Sequence, residues 1–201
     1  DQTDLKIENL LPGRIYESGV AWFALAMFFM YIITFYTKRF KPVYVFVLSV
    51  VIAMILGYTG ENTDIFCWLR IVNFYPFFYL GYVISIEDIT KWLENKKIKV
   101  MAIISLITYF VICYIGIDKI FWLRFLLTGR SGYYRLEYGM AYGPLIRLGV
   151  YVISFFIVFM FLSIMPKRRF ILSKIGQRSL SVYVFHYVFI YIYMASSLYK
   201  Y

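Results

Sequence analysis

Long apolar runs separated by short charged interruptions set the pattern of this 201-residue chain. A membrane-crossing helix needs about 20 mostly apolar residues, with a range of about 17–25. Six stretches meet that requirement: 19–36, 43–58, 65–85, 98–117, 144–165 and 179–198. The second is short, and the third carries Arg70 and Pro76, a residue expected to kink it. Ser85-Ile86-Glu87-Asp88 reads as a helix start, and Ile89, Trp92 and Leu93 then share a face opposite Lys91, Glu94 and Lys96. That pattern predicts a short amphipathic helix in the membrane interface. Residues 118–143 form the longest connection, rich in Arg and aromatics, and long connections without regular structure of their own tend to bind or to cover sites. With no repeats and no low-complexity linker, 1–201 reads as one all-α, polytopic transmembrane helical bundle of about six spans.

Composition agrees and narrows the classes. The chain is 62% hydrophobic and 16% charged, with a mean hydropathy of +0.72, whereas a soluble domain is about half apolar and about a quarter charged. Two cysteines exclude a disulfide scaffold, and a single histidine excludes a multi-histidine zinc site, so no metal is expected. The net charge of +10 would suggest nucleic acid in a soluble protein. Its distribution gives another reading. The connections 37–42, 86–99 and 166–178 together carry +9, while 1–18, 59–64 and 118–143 together carry −2. The positive-inside bias makes the first set cytoplasmic, and no nucleic-acid partner is needed.

Few residues remain that could carry chemistry. Arg70 is either a clamp lining a polar cleft or an arginine snorkelling to the outer headgroups. Arg147, three residues into the fifth stretch, is placed for snorkelling by its closeness to the outer edge. Ser179, Tyr183 and His186 recur at i, i+4 and i+7 and line one face of the last helix. The imidazole there is either a base or orienting group, or a histidine satisfied by a neighbouring helix. Arg168 and Arg169, in the basic 166–178 connection, either hold phosphates or simply report topology. Cys67 and Cys113 read as packing residues, and Gly139…Gly143 as a small-residue pair lying mostly in a loop. No phosphate-binding loop, dinucleotide fingerprint or nucleophile elbow is present.

Taken in order, Arg70…Phe77-Phe78-x-Leu80-Gly81-Tyr82 and Gly176-x-x-Ser179-Leu180-x-x-Tyr183-x-x-His186 resemble the acyltransferase-3 family of integral membrane acyltransferases. The fucose 4-O-acetylase-like branch is the most similar, and Trp22-Phe23 and the Gly132-Tyr133 region fit the same pattern. The resemblance implies an O-acetyltransferase of a bacterial-type plasma membrane. It would move an acyl group from cytoplasmic acyl-CoA, with acetyl-CoA as co-substrate, to a hydroxyl of an envelope carbohydrate or its lipid-linked precursor. On that basis Arg70, Tyr183 and His186 are the catalytic candidates, and Ser179, Arg147, Arg168, Arg169 and Tyr133 the binding ones. The family's first-helix histidine has no counterpart here, so the chain resembles the C-terminal portion of such an enzyme. A glycan-precursor transporter or flippase and a non-catalytic membrane scaffold are the alternatives.

Overall fold

In the computed structural model, the described residues are 21–60, 67–85, 87, 89, 95–136, 139–165 and 176. The chain divides into two compact units, residues 1–25 with 166–201 and residues 26–165. In the first, Trp22 and Phe23 pack edge to face at 5.9 Å. The second contains almost everything described, and its regular structure there is helical throughout. The helices are α1 (Ala21–Thr37), α2 (Pro42–Leu56), α3 (Trp68–Val83), α4 (Lys96–Ile115), the single turns α5 (Ile117–Ile120) and α6 (Arg124–Leu127), and α7 (Gly139–Ile164).

Their ends follow local chemistry. Proline opens α2, where its missing N–H is not needed and its φ is already helical. Asn95 caps α4 by accepting from the Lys97 N–H at 3.0 Å. Among the described residues, α4 and the Met140–Ile164 part of α7 are long and apolar enough to cross a membrane, while α1 and α2 are shorter apolar helices. The amphipathic segment lies mostly outside the described residues; Glu87 and Ile89 are helical, and the Ile89 N–H reaches the Ser85 carbonyl at 3.2 Å. The last stretch, 179–198, lies outside them entirely.

Within the second unit, α3 packs against α2, and α7 against both α2 and α4. Ala53 of α2, Val72 of α3 and Tyr151 of α7 form the shared core. Phe77 stacks on Phe155 with ring centres 4.2 Å apart. Tyr31 of α1 meets Phe78 of α3 edge to face. One turn earlier on α3, the Tyr75 hydroxyl shares hydrogen bonds with Thr37 Oγ1 at 3.0 Å and Thr34 Oγ1 at 3.2 Å.

Two expectations need correction. The 118–143 connection is not structureless: it is broken into α5, a 3-10 turn at Phe121–Leu123, α6 and a second 3-10 turn at Tyr133–Arg135. Local i→i+3 and i→i+4 bonds, such as Thr128 N–H to Arg124 O and Leu136 N–H to Tyr133 O, pair part of its backbone. Helix α7 also begins at Gly139, well before the expected 144, and carries Pro144 inside it. Gly139 and Gly143 are therefore helical, and Gly143 is used for a close approach described next.

Candidate functional site

The site is built where the C-terminal end of α2, the middle of α3 and the first half of α7 meet the 124–136 segment. An α-helix leaves its last four carbonyls without helical partners. At the end of α2 the connection supplies two donors: the Tyr133 N–H reaches Gly57 O at 2.6 Å, and the Tyr133 hydroxyl donates to Met54 O at 2.9 Å. The Tyr133 ring is fully buried. It lies so close to Gly57 and Gly143 that a Cβ at either position would overlap it. A Cβ on Gly132 would likewise strike the carbonyls of Gly57 and Thr59. Tyr58 closes the other side, edge to face at 5.0 Å.

Beside this ring sits Arg147, only 1% exposed, with its guanidinium carbon 5.3 Å from the ring centre. The expected snorkelling does not occur. Because α7 starts early, Arg147 is two turns inside the helix and faces the protein interior rather than the helix end. Its Nη1 donates to Asn73 Oδ1 at 2.6 Å. Asn73 Nδ2 in turn donates to Gly129 O at 2.9 Å. Gly129 adopts a left-handed φ of 65°, which a side chain would strain, and a Cβ there would press on Asn73 and Phe74. One turn after Arg147, Tyr151 donates its hydroxyl to Asn73 O at 2.9 Å. Asn73 thus ties α3, α7 and the connection together through three bonds.

The remaining edge of the guanidinium, Nε and Nη2, is buried and has no hydrogen-bond partner among the described residues. Arginine stays protonated in proteins, so this edge keeps two donor nitrogens on a fully charged guanidinium. That edge is the fork that matches a carboxylate, a phosphate or another oxygen pair. Burial pushes the Tyr133 phenol above its ordinary value, and the neighbouring Arg147 charge works against that rise. The hydroxyl is therefore a neutral hydrogen-bond donor at physiological pH.

Of the residues singled out from the sequence, the structure brings Arg147 and Tyr133 together. Arg70 is 6% exposed and lies one turn from Asn73 on α3. Its snorkelling alternative falls with that burial. Ser179, Tyr183, His186, Arg168 and Arg169 lie outside the described residues. Asn73 and Tyr151 were missed. The available signal was spacing: Asn73 follows Arg70 by three, and Tyr151 follows Arg147 by four. Among the described residues no cluster of His, Cys, Asp and Glu could hold a metal.

No curated protein and no solved structure matches the chain significantly. The acyltransferase-3 family, described as an acyltransferase domain, matches residues 12–199, nearly the whole length. The chain therefore belongs to the acyltransferase-3 family and is an acyltransferase-family membrane protein.

Proposed function

We propose that this chain serves a membrane-bound O-acetyltransferase of the fucose 4-O-acetylase-like branch. It would move an acetyl group from cytoplasmic acetyl-CoA to a hydroxyl of an envelope carbohydrate or its lipid-linked precursor, in a multi-pass protein of a bacterial-type plasma membrane. The family match across residues 12–199 carries the reaction class. The buried edge of Arg147, without a hydrogen-bond partner among the described residues, supports a polar ligand near the start of α7, on the side that the connection charges mark as outer.

The chemistry sets the division of roles. The acceptor oxygen attacks the thioester carbon, a C–O bond forms as the C–S bond breaks, and the hydroxyl proton leaves to a base while the CoA sulfur departs as thiolate. Such a step needs a base beside the hydroxyl and donors facing the developing oxyanion. His186 and Tyr183 are assigned to the reacting groups, with Ser179 on the same helical face. Arg168 and Arg169 are assigned to the CoA phosphates. Arg147 is assigned to oxygens of the acceptor, with Arg70, Asn73 and Tyr133 holding the interior around it.

The test is transfer of radiolabel from [14C]acetyl-CoA to envelope glycan in membranes containing the full-length protein. Label that depends on the protein and falls at least tenfold in His186→Ala is expected. Movement of a glycan precursor across the membrane with no label transferred would overturn the reading in favour of a flippase.

A further inference from the structure

A second feature lies away from the arginine site, on the α1–α2–α3 side of the same unit. It is a groove of about 270 Å³ with almost wholly apolar walls. Val45, Ser49, Val72 and Tyr75 form its buried floor, and the exposed side chains of Leu48, Ile52 and Trp68 form its rim. The few polar groups are already used: Ser49 Oγ donates to Phe46 O at 2.7 Å, and Tyr75 bonds Thr37. Such a groove offers a small molecule shape and no hydrogen bonds. Its rim opens among the exposed apolar side chains of α1 and α2 beside Trp68, the surroundings of a lipid chain.

One end is marked by charge. Thr37, at the end of α1, lines the groove, and the turn that follows carries exposed Lys38, Arg39 and Lys41 before α2 begins. Residues 21–60 contain no Asp or Glu, so nothing in that stretch neutralises the turn. The two lysines lean over Phe35 and Tyr44, at 4.4 and 6.0 Å from the ring centres, and Arg39 Nε bonds Tyr36 O at 3.0 Å. At about 1.5 Å per residue, Ile52 lies about 16 Å along α2 from Lys41. That is the reach from a lipid phosphate to the middle of its acyl chain.

We propose that this groove holds one acyl chain of an anionic phospholipid whose phosphate sits on the Lys38–Arg39–Lys41 turn. Lipid tails are as apolar as the groove itself, so burial of the chain confers little preference over bulk lipid. The preference comes from the headgroup, and clustered basic residues between membrane helices recognise anionic headgroups in this way. The site stands independently of the acetyl-transfer reading.

The full-length protein is reconstituted in phosphatidylcholine vesicles containing a few mole per cent of phosphatidylglycerol brominated at mid-chain. The quenched signal is the wild-type tryptophan emission minus that of Trp68→Phe. Saturating quenching is expected, at least tenfold more effective than with brominated phosphatidylcholine. The exposed triple variant K38Q/R39Q/K41Q, which leaves the core untouched, is expected to remove the headgroup preference. Ser49→Leu, which fills the floor, is expected to remove the saturable quenching for both lipids. Equal quenching by the two lipids in the wild type would overturn the proposal and leave only ordinary surrounding lipid. A preference that survives the triple variant would overturn the assignment to this turn.

Discussion

Helices α3 and α4 invert the usual relation between polarity and burial. Helix α4 carries no charge after Lys99 and is mostly apolar from there on, yet Ala102 is its one buried residue. Helix α3 carries Arg70, Asn73 and Pro76, and half of its sixteen residues are buried, these three among them. In water the hydrophobic effect would bury α4 first. In a bilayer an apolar face is at home outside, while polar groups must find partners inside the protein. Polarity therefore marks the interior here. The helix that looks least like a span is the one that organises the site.

Breaking the interior should do the most damage. Asn73→Leu removes both side-chain bonds, to Arg147 and Gly129, and leaves the buried guanidinium without its bond to Asn73. A loss of about 3 kcal/mol is expected in unfolding titrations of the purified protein. Arg147→Leu should be tolerated better in the same titration, because it removes the uncompensated charge along with the bond.

The exterior of α4 supplies the next test. Ile107 is more than half exposed and would accept a charge freely in a soluble protein. In lipid, Ile107→Arg near the helix centre should cost about 2.5–3.5 kcal/mol. Carbonate-resistant membrane protein should fall accordingly; unchanged yield would mean that this face meets water.

Smaller effects come from the Tyr133 contact. Gly143→Ala places a methyl against the ring, and a loss of about 1–3 kcal/mol is expected from overpacking, read as a lower Tm. Tyr133→Phe keeps the ring and loses the bond to Met54 O, for about 1 kcal/mol. The folded state holds the phenol proton more tightly than the unfolded chain does. That contribution is complete at neutral pH and is lost as the pH rises through the raised phenol value. The wild type should therefore lose stability more steeply than Tyr133→Phe under strongly alkaline conditions.

Much of the helical framework was legible because apolar runs bounded by Lys38–Lys41, by Asn95–Lys97 and by the 118–143 connection are strong length and composition signals. The start of α7 was not, since glycines and a proline read as a loop unless a neighbouring ring demands their small size. Arg147 was visible as a charge at a span edge, but the same position fits snorkelling until the helix is seen to begin eight residues earlier. Asn73 was illegible for a different reason. A neutral amide within Ile71-Val72-Asn73-Phe74-Tyr75 carries no charge signal, and its importance lies in three partners distant in sequence.

A double-mutant cycle on Asn73 and Arg147 reaches the central claim most directly. Unfolding free energies are measured for the wild type, Asn73→Leu, Arg147→Leu and the pair. A buried, charge-assisted bond predicts a coupling of about 1.5–3 kcal/mol, with the double variant more stable than Asn73→Leu alone. Additive losses, with Arg147→Leu indifferent to the presence of Asn73, would contradict it and place the guanidinium outside the protein interior.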